Sequence, residues 1–270
     1  MRKLSLDHLT VLSLTPPEQV VLASKLGCEA VSIRVHPLPR GEIPGLDMIG
    51  DTPQRRETSR LSRDLGVEIY LVEVFMIYGH TEVESYRPAL ESAAALGAVV
   101  ANVGCMDKER ARFHDKFAAF AELAASFGVK TSIEPLGAGP MFRVREAREA
   151  VDHCTRPDAG LMTDILHLTR SGEGPEALAL FEPSGILYAQ LCDGPLTMQP
   201  DRIIEEAMFD RQLPGEGSFP LREFIRAIPE HVPLGVEIPM RRLERIGVSL
   251  EDRAAAAVRA TRAVLSQLGK

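Results

Sequence analysis

Short apolar runs alternate with longer stretches of helical periodicity along the whole chain. Runs at 8–14, 30–35, 67–75, 98–104, 130–135, 159–164, 185–192 and 232–238 are too brief for helices and are rich in β-branched residues, so they read as buried strands. Helical patterns lie between and after them, at 17–26, 52–65, 82–96, 109–127, 143–153, 175–181, 219–228 and 249–268. Gly27, Gly66, Gly97 and Gly128 each stand between a helical pattern and the next apolar run, where a left-handed residue ends a helix. An internal βα repeat of this kind, with eight strands and parallel connections, predicts closure into an α/β (β/α)8 TIM barrel. One domain over residues 1–270 is expected, because barrels of about 250 residues run as single units. Two stretches after strands, 36–51 and 193–218, are longer than a plain barrel needs and are expected to wall or cover its catalytic rim.

Four polar residues close apolar runs of this pattern: Glu134 after KTSI, Asp164 after AGLMT, Gln190 after ILYA and Glu237 after PLGV. A barrel brings the ends of all its strands to one rim, so these four are expected to converge. Carboxylates brought together without a counter-charge raise one another's pKa, and a divalent cation keeps them ionised. A strand-end carboxylate also serves as a helix cap or half of an ion pair; four in successive units point instead to a shared metal. Three carboxylates and an amide form an all-oxygen set, which favours Mg²⁺ or Mn²⁺, with Co²⁺ or Zn²⁺ as lesser candidates.

Composition narrows the class of partner. The chain has 270 residues, is 45% hydrophobic and carries a formal net charge of -7. Phosphate backbones need a basic face, so nucleic acid is not expected as a partner. Neither a signal peptide nor an apolar run long enough to span a membrane is visible. The four cysteines form no CxxC pair. A cytoplasmic protein acting on a small molecule is the expectation; the 249–268 helix could supply an interface for a homo-oligomer, and a monomer is equally compatible with the sequence. No GxGxxG, P-loop or GxSxG stretch is present, which leaves nucleotide cofactors and serine hydrolysis unsupported.

The segments IEP at 133–135, DILH at 164–167, QLCDGP at 190–195, LPGEG at 213–217 and VEIP at 236–239 resemble the xylose isomerase-like TIM barrel superfamily of sugar-phosphate isomerases and epimerases. The resemblance covers essentially the whole chain and is strongest over 130–240. It implies that Glu134, Asp164 and Glu237 are metal ligands and that His167 contacts substrate beside the metal. Where relatives usually carry a histidine ligand in an HxxD pattern, this chain has Gln190 with Asp193 retained. The resulting QxxDxP stretch, together with the DxxH and the RxxPGxG run from Arg211 to Gly217, is similar to bacterial 3-dehydroshikimate dehydratases. Apurinic endonucleases on the same barrel need additional histidine ligands that this chain does not space correctly.

The resemblance implies a metal-dependent enzyme that removes a proton α to a carbonyl of a small hydroxylated compound. Sugar isomerase or epimerase chemistry is placed first and a dehydratase (lyase) second; a non-catalytic ligand-binding barrel is the third reading. Glu134, Glu237 and His167 are the expected catalytic groups. Arg34 and Arg211, as guanidinium forks near the rim, suit an anionic substrate, and Glu73 belongs to the same expected substrate-binding set. Glu73 is interior to an apolar strand and is costly to bury alone, so a direct pairing with Arg34 is an alternative. His8, His80, His114, His153 and His231 lack ligand spacing and are read as surface residues. Cys192 is read as a small apolar strand residue.

Overall fold

A computed structural model describes residues 2–37, 45–137, 139–141 and 143–269. The strands are β1 (Leu4–Asp7), β2 (Ala30–Ile33), β3 (Glu68–Ile77), β4 (Val100–Cys105), β5 (Lys130–Glu134), β6 (Ala159–Asp164), β7 (Ile186–Leu191) and β8 (Leu234–Val236). Each is parallel to its sequence neighbour, and β8 closes on β1 through Leu4↔Leu234 and Leu6↔Val236, giving a closed eight-stranded barrel. Around it run α1 (Pro16–Lys25), α2 (Pro53–Leu65), α3 (Arg87–Ala95), α4 (Arg110–Ala125), α5 (Val144–Cys154), α6 (Ile165–Arg170), α7 (Ile203–Phe209), α8 (Leu221–Ala227), α9 (Arg241–Arg245) and α10 (Leu250–Gln267). The expected (β/α)8 TIM barrel is the fold observed.

Local chemistry places the helices. Thr52 and Ser249 cap α2 and α10 by accepting from the amides of Arg55 and Asp252, both at 3.1 Å. Gly27, Gly66, Gly97 and Gly128 adopt φ between 66° and 76°, the left-handed turn that returns the chain to the next strand. The 82–96 pattern divides into a 3₁₀ turn at Val83–Tyr86 and α3, because Pro88 can be accommodated only in the first turn of a helix. The 175–181 pattern is a 3₁₀ turn rather than an α-helix.

The first strand differs from expectation. The strand is Leu4–Asp7, and residues 8–11 form a buried 3₁₀ turn instead. The apolarity of Leu9 and Val11 reflects burial at the barrel mouth, not strand pairing. Thr10 fastens this turn to β8, its hydroxyl donating to the Val236 carbonyl at 2.7 Å and accepting from the Ile238 amide at 2.8 Å. His8 is accordingly buried, contrary to the surface reading, whereas His80, His153 and His231 are exposed and His114 is half-buried.

Strand side chains alternate between two faces. Leu6, Val31, Val103, Ile133, Leu161, Leu191 and Val236 belong to the large apolar cluster shared with the helices, where Phe113, Phe117 and Phe120 of α4 are fully buried. The opposite parity carries Ser5, Asp7, Ser32, Glu73, Asn102, Ser132, Glu134, Asp164, Tyr188 and Gln190, all buried. The four cysteines are free and buried.

Phe120 packs its ring 5.0 Å from Phe75 and 5.9 Å from Tyr86, joining α4 to β3 and to the turn before α3. Phe120→Ala should lower unfolding free energy by about 3–5 kcal/mol, the range for truncating a buried aromatic. Urea denaturation followed by circular dichroism measures this; a loss under about 1 kcal/mol would contradict the packing described.

Candidate active site

At the C-terminal mouth of the barrel lies a cavity of about 280 Å³, lined among others by His8, Arg34, Glu73, Glu134, His167, Gln190, Arg211 and Glu237. Among the described residues, five buried carboxylates belong to this region, those of Asp7, Glu73, Glu134, Asp164 and Glu237, against two guanidinium groups, those of Arg34 and Arg211. This surplus of negative charge is the site's main electrostatic property.

Arg211 is central to it and is only 2% exposed. Its Nη1 donates to Asp164 Oδ2 at 2.7 Å and its Nη2 lies 2.9 Å from Glu237 Oε2, while Nε donates to the Ala207 carbonyl of α7 at 3.0 Å. Sequence placed Arg211 near the rim; it lines the cavity and is also paired with Asp164 and Glu237, two of the predicted ligands. Asp164 also caps α6, accepting from the Leu166 amide at 2.8 Å. Glu134, Gln190 and Glu237 line the cavity, whereas Asp164 stands behind Arg211.

The loop after β7 holds Arg211 in place. Asp193 accepts from the amides of Gly194, Phe219 and Gly215 at 2.8, 3.0 and 2.9 Å, folding the loop back on itself. Gly217 is needed there, since a Cβ would fall 2.2 Å from Asp193 Oδ1 and 2.4 Å from a backbone nitrogen. A buried bidentate pair of Arg170 with Glu206, both contacts at 2.6 Å, fastens α7 to α6.

On the other side of the mouth, His8 stands between Arg34 and Glu73. Arg34 Nε donates to His8 Nε2 at 2.7 Å, and His8 Nδ1 lies 3.0 Å from Glu73 Oε1, which also accepts from Ser32. The expected Arg34–Glu73 pair is thus bridged by an imidazole that sequence reading had assigned to the surface. Burial and the Arg34 charge lower His8 to about 4, so it is neutral, with its proton on Nδ1 toward Glu73. Burial pushes Glu73 up, but the hydrogen bonds from His8 and Ser32 and the Arg34 charge outweigh it and hold the carboxyl below its usual range. Arg34 Nη1 is buried without a partner among the described residues.

Glu134 accepts from Asn102 Nδ2 at 2.9 Å, and its other oxygen lies 3.8 Å from His167 Nε2. Burial, with the charges of Asp164 and Glu73, raises Glu134 well above the ordinary carboxylate range. Burial likewise raises Glu237, assisted by Glu73 and Asp164 and opposed by Arg211. Burial lowers His167 to about 4. Its Nδ1 accepts from the Gly137 amide at 3.2 Å, so the proton of this neutral ring sits on Nε2, facing Glu134.

Asp7 was not singled out from sequence. It accepts from Ser5 Oγ at 2.9 Å, Tyr188 Oη at 2.6 Å and Gln190 Nε2 at 2.9 Å. Burial and the Glu73 charge raise it well above its usual value. A polar residue ending an apolar run was the usable signal, and it was masked by placing the first strand after Asp7. Gln190 Oε1 is buried with no hydrogen-bond partner among the described residues.

That orphaned oxygen and the excess of carboxylates fit a divalent cation. Glu134, Asp164 and His167 can bring ligand atoms within 4.8 Å of one another, as can His8, Glu73 and Glu237. No helix among the described residues is long and apolar enough to cross a membrane.

The fold and site define a barrel with a cavity rich in carboxyl groups at its C-terminal mouth. The chain belongs to the xylose isomerase-like TIM barrel family, whose model matches residues 20–264. No curated protein matches the chain. Among solved structures, the IolI protein with a bound zinc atom superposes with a TM-score of 0.81 at 18% identity, covering 98% of this chain and 99% of that one. D-psicose 3-epimerase from Clostridium cellulolyticum H10 gives 0.71 at 15% identity, covering 98% of this chain and 99% of that one. The probable 3-DHS dehydratase AsbF of Bacillus anthracis gives 0.71 at 15% identity, covering 96% and 98%. A fusion of a xylose isomerase-like TIM barrel with a 4-hydroxyphenylpyruvate dioxygenase is also similar, at a TM-score of 0.77 and 20% identity, and this chain spans 44% of its length. At these identities the likeness is one of fold.

His36, its ring centroid 4.6 Å from that of Phe75, is buried and thereby lowered to about 4. The folded protein keeps it neutral, whereas the unfolded chain takes up a proton below about 6.5, so stability falls as pH drops from about 6.5 toward 4. From pH 6.5 to 5 this one group should cost roughly 1.5 kcal/mol. His36→Phe, which keeps an aromatic ring but cannot titrate, should lose correspondingly less between about pH 7 and 5 in urea denaturation. Equal losses in both proteins would refute the assignment.

Proposed function

We propose that this chain is a divalent-metal-dependent lyase of the dehydratase type, removing a proton α to a carbonyl of a small, anionic, hydroxylated compound and expelling a β-hydroxyl as water. The observation that carries the reading is the asymmetry of the two cavity glutamates. Glu237 is held by Arg211, whereas among the described residues no guanidinium holds Glu134, whose pKa is raised by burial. One base outside the guanidinium fork suits a one-base elimination.

Glu134, Gln190 and Glu237, with Asp164 behind them, would hold the cation. Bound there, it would supply positive charge to a substrate carbonyl oxygen as enolate character develops. Glu134 then takes the α-proton as the C–H electron pair moves into the new double bond. His167, neutral and protonated on Nε2, donates to the departing oxygen and orients it. The proton collected by Glu134 leaves with that hydroxyl as water, which restores the carboxylate. Arg34 supports an anionic substrate, because its buried Nη1 lacks a partner among the described residues and its Nε is already held by neutral His8.

Sugar epimerisation or isomerisation is the second reading. It is favoured by Glu237 lining the same cavity as Glu134, but a two-base reaction needs Arg211 to release Glu237.

Turnover should be lost on chelation and restored by Mg²⁺ or Mn²⁺. The protein is incubated in deuterated water with 3-dehydroshikimate and with ketoses, and products are followed by NMR. Loss of water with appearance of a conjugated double bond supports the lyase; deuterium at an inverted or isomerised hydroxyl-bearing carbon would replace it with the second reading. Glu134→Gln should slow either reaction about 10²–10⁴-fold with the fold intact, and unchanged turnover would overturn the assigned base.

A further inference from the structure

We infer that Asp7 is a positioning residue that fixes the polarity of the Gln190 side-chain amide, so that its oxygen and not its nitrogen is presented to the cavity. The inference rests on the metal-dependent reading above for the use made of that oxygen, but not for the orientation itself.

An amide side chain has a donor end and an acceptor end of nearly the same shape, so a glutamine is a dependable oxygen ligand only if something forbids the flipped state. Here the forbidding groups are carboxyl oxygens of Asp7 and Glu73. Gln190 Nε2 lies 2.9 Å from Asp7 Oδ2 and 3.5 Å from Glu73 Oε2. Two oxygen acceptors at one end require the NH₂ there, which turns Oε1 away from them, buried and unpartnered among the described residues.

Asp7 is itself aimed. Its Oδ1 accepts from Ser5 Oγ at 2.9 Å and Tyr188 Oη at 2.6 Å, which leaves Oδ2 for Gln190. These contacts run from β1 to β7, two strands apart in the ring, and pass over β8 at Gly235. A Cβ at Gly235 would lie 2.1 Å from Asp7 Oδ2 and 2.8 Å from Tyr188 Oη, so the missing side chain is what lets the two strands touch.

Asp7→Asn tests the lock. Ser5 and Tyr188 hold the oxygen of the new amide, so its NH₂ faces Gln190 and favours the flipped glutamine. Two measurements are made on the full chain. Exchange of the Gln190 side-chain NH₂ protons is followed by NMR on metal-free protein, the signals being assigned by their loss in Gln190→Glu. Mn²⁺ affinity is measured by calorimetry. The wild-type NH₂ pair should exchange slowly and the Asp7→Asn pair at least about tenfold faster. Mn²⁺ binding should weaken about 10–100-fold in Asp7→Asn, the range for losing a partner that orients a ligand. In the double variant Asp7→Asn/Gln190→Glu, the carboxylate at position 190 accepts from the amide introduced at position 7 with one oxygen and offers the other to the cavity. It should recover to within about threefold of wild type. A merely structural role for Asp7 would not be rescued in this way. Unchanged NH₂ exchange in Asp7→Asn, or a double variant as weak as the single, would overturn the inference. A wild-type protein with a protected NH₂ pair but no Mn²⁺ binding would instead overturn the metal reading and leave the orientation standing.

Discussion

The mouth of this barrel is organised by one buried cation. Arg211 reaches from the loop after β7 to Asp164 at the end of β6 and Glu237 just beyond β8, and its Nε is fixed by a carbonyl of α7. Burying a guanidinium is expensive unless each edge is matched, and two carboxylates and two carbonyls supply that match. The loop therefore cannot leave without exposing two unpaired buried carboxylates. Its remaining devices follow from the same requirement: Asp193 folds the loop through three backbone amides, and Arg170 with Glu206 clamps its helix. Even so, Arg211 and Arg34 do not match five buried carboxyl groups in number, and acidic groups remain in excess at the mouth.

Much of the fold was legible because it is written in period. Inward and outward strand positions alternate, and the outward set is apolar almost without exception, so strands β2 to β8 could be placed from runs alone. The four glycines before strands marked the helix ends by the one backbone state that glycine enters freely. The first strand was misplaced for a physical reason. Residues 8–11 are buried by packing under the mouth and not by sheet pairing, and hydropathy cannot distinguish the two. That single displacement concealed two site residues, since it moved Asp7 out of the strand-end position and put His8 at the start of the supposed strand, the end away from the mouth.

The residues at strand ends were legible as a group, but their pairings were not. Glu134, Gln190 and Glu237 meet at one cavity, as parity requires of strand-end residues in a closed barrel. What sequence could not supply was direction for the long side chains. A long, flexible arginine side chain reaches inward or outward from the same backbone position, and Arg211 turns in because Asp164 and Glu237 wait there. In the same way Arg34 and Glu73 lie on neighbouring segments of the barrel, yet His8 from a third segment separates them.

Histidines show how burial assigns chemical roles within this set. His8 and His167 are both desolvated and both neutral, but their tautomers differ because their partners do. His8 accepts from Arg34 at Nε2 and so carries its proton on Nδ1; His167 accepts from the Gly137 amide at Nδ1 and so carries its proton on Nε2. His8 thereby extends the guanidinium of Arg34 toward the carboxylate of Glu73. His167 instead directs an N–H at Glu134 and the cavity. A neutral imidazole with its proton fixed toward the cavity is a donor and a poor base. Of Glu134 and Glu237, which both line the cavity after their strands, Glu134 is the one outside the Arg211 fork. A backbone amide thus sets the direction of the His167 proton, and a guanidinium makes the two cavity glutamates unequal.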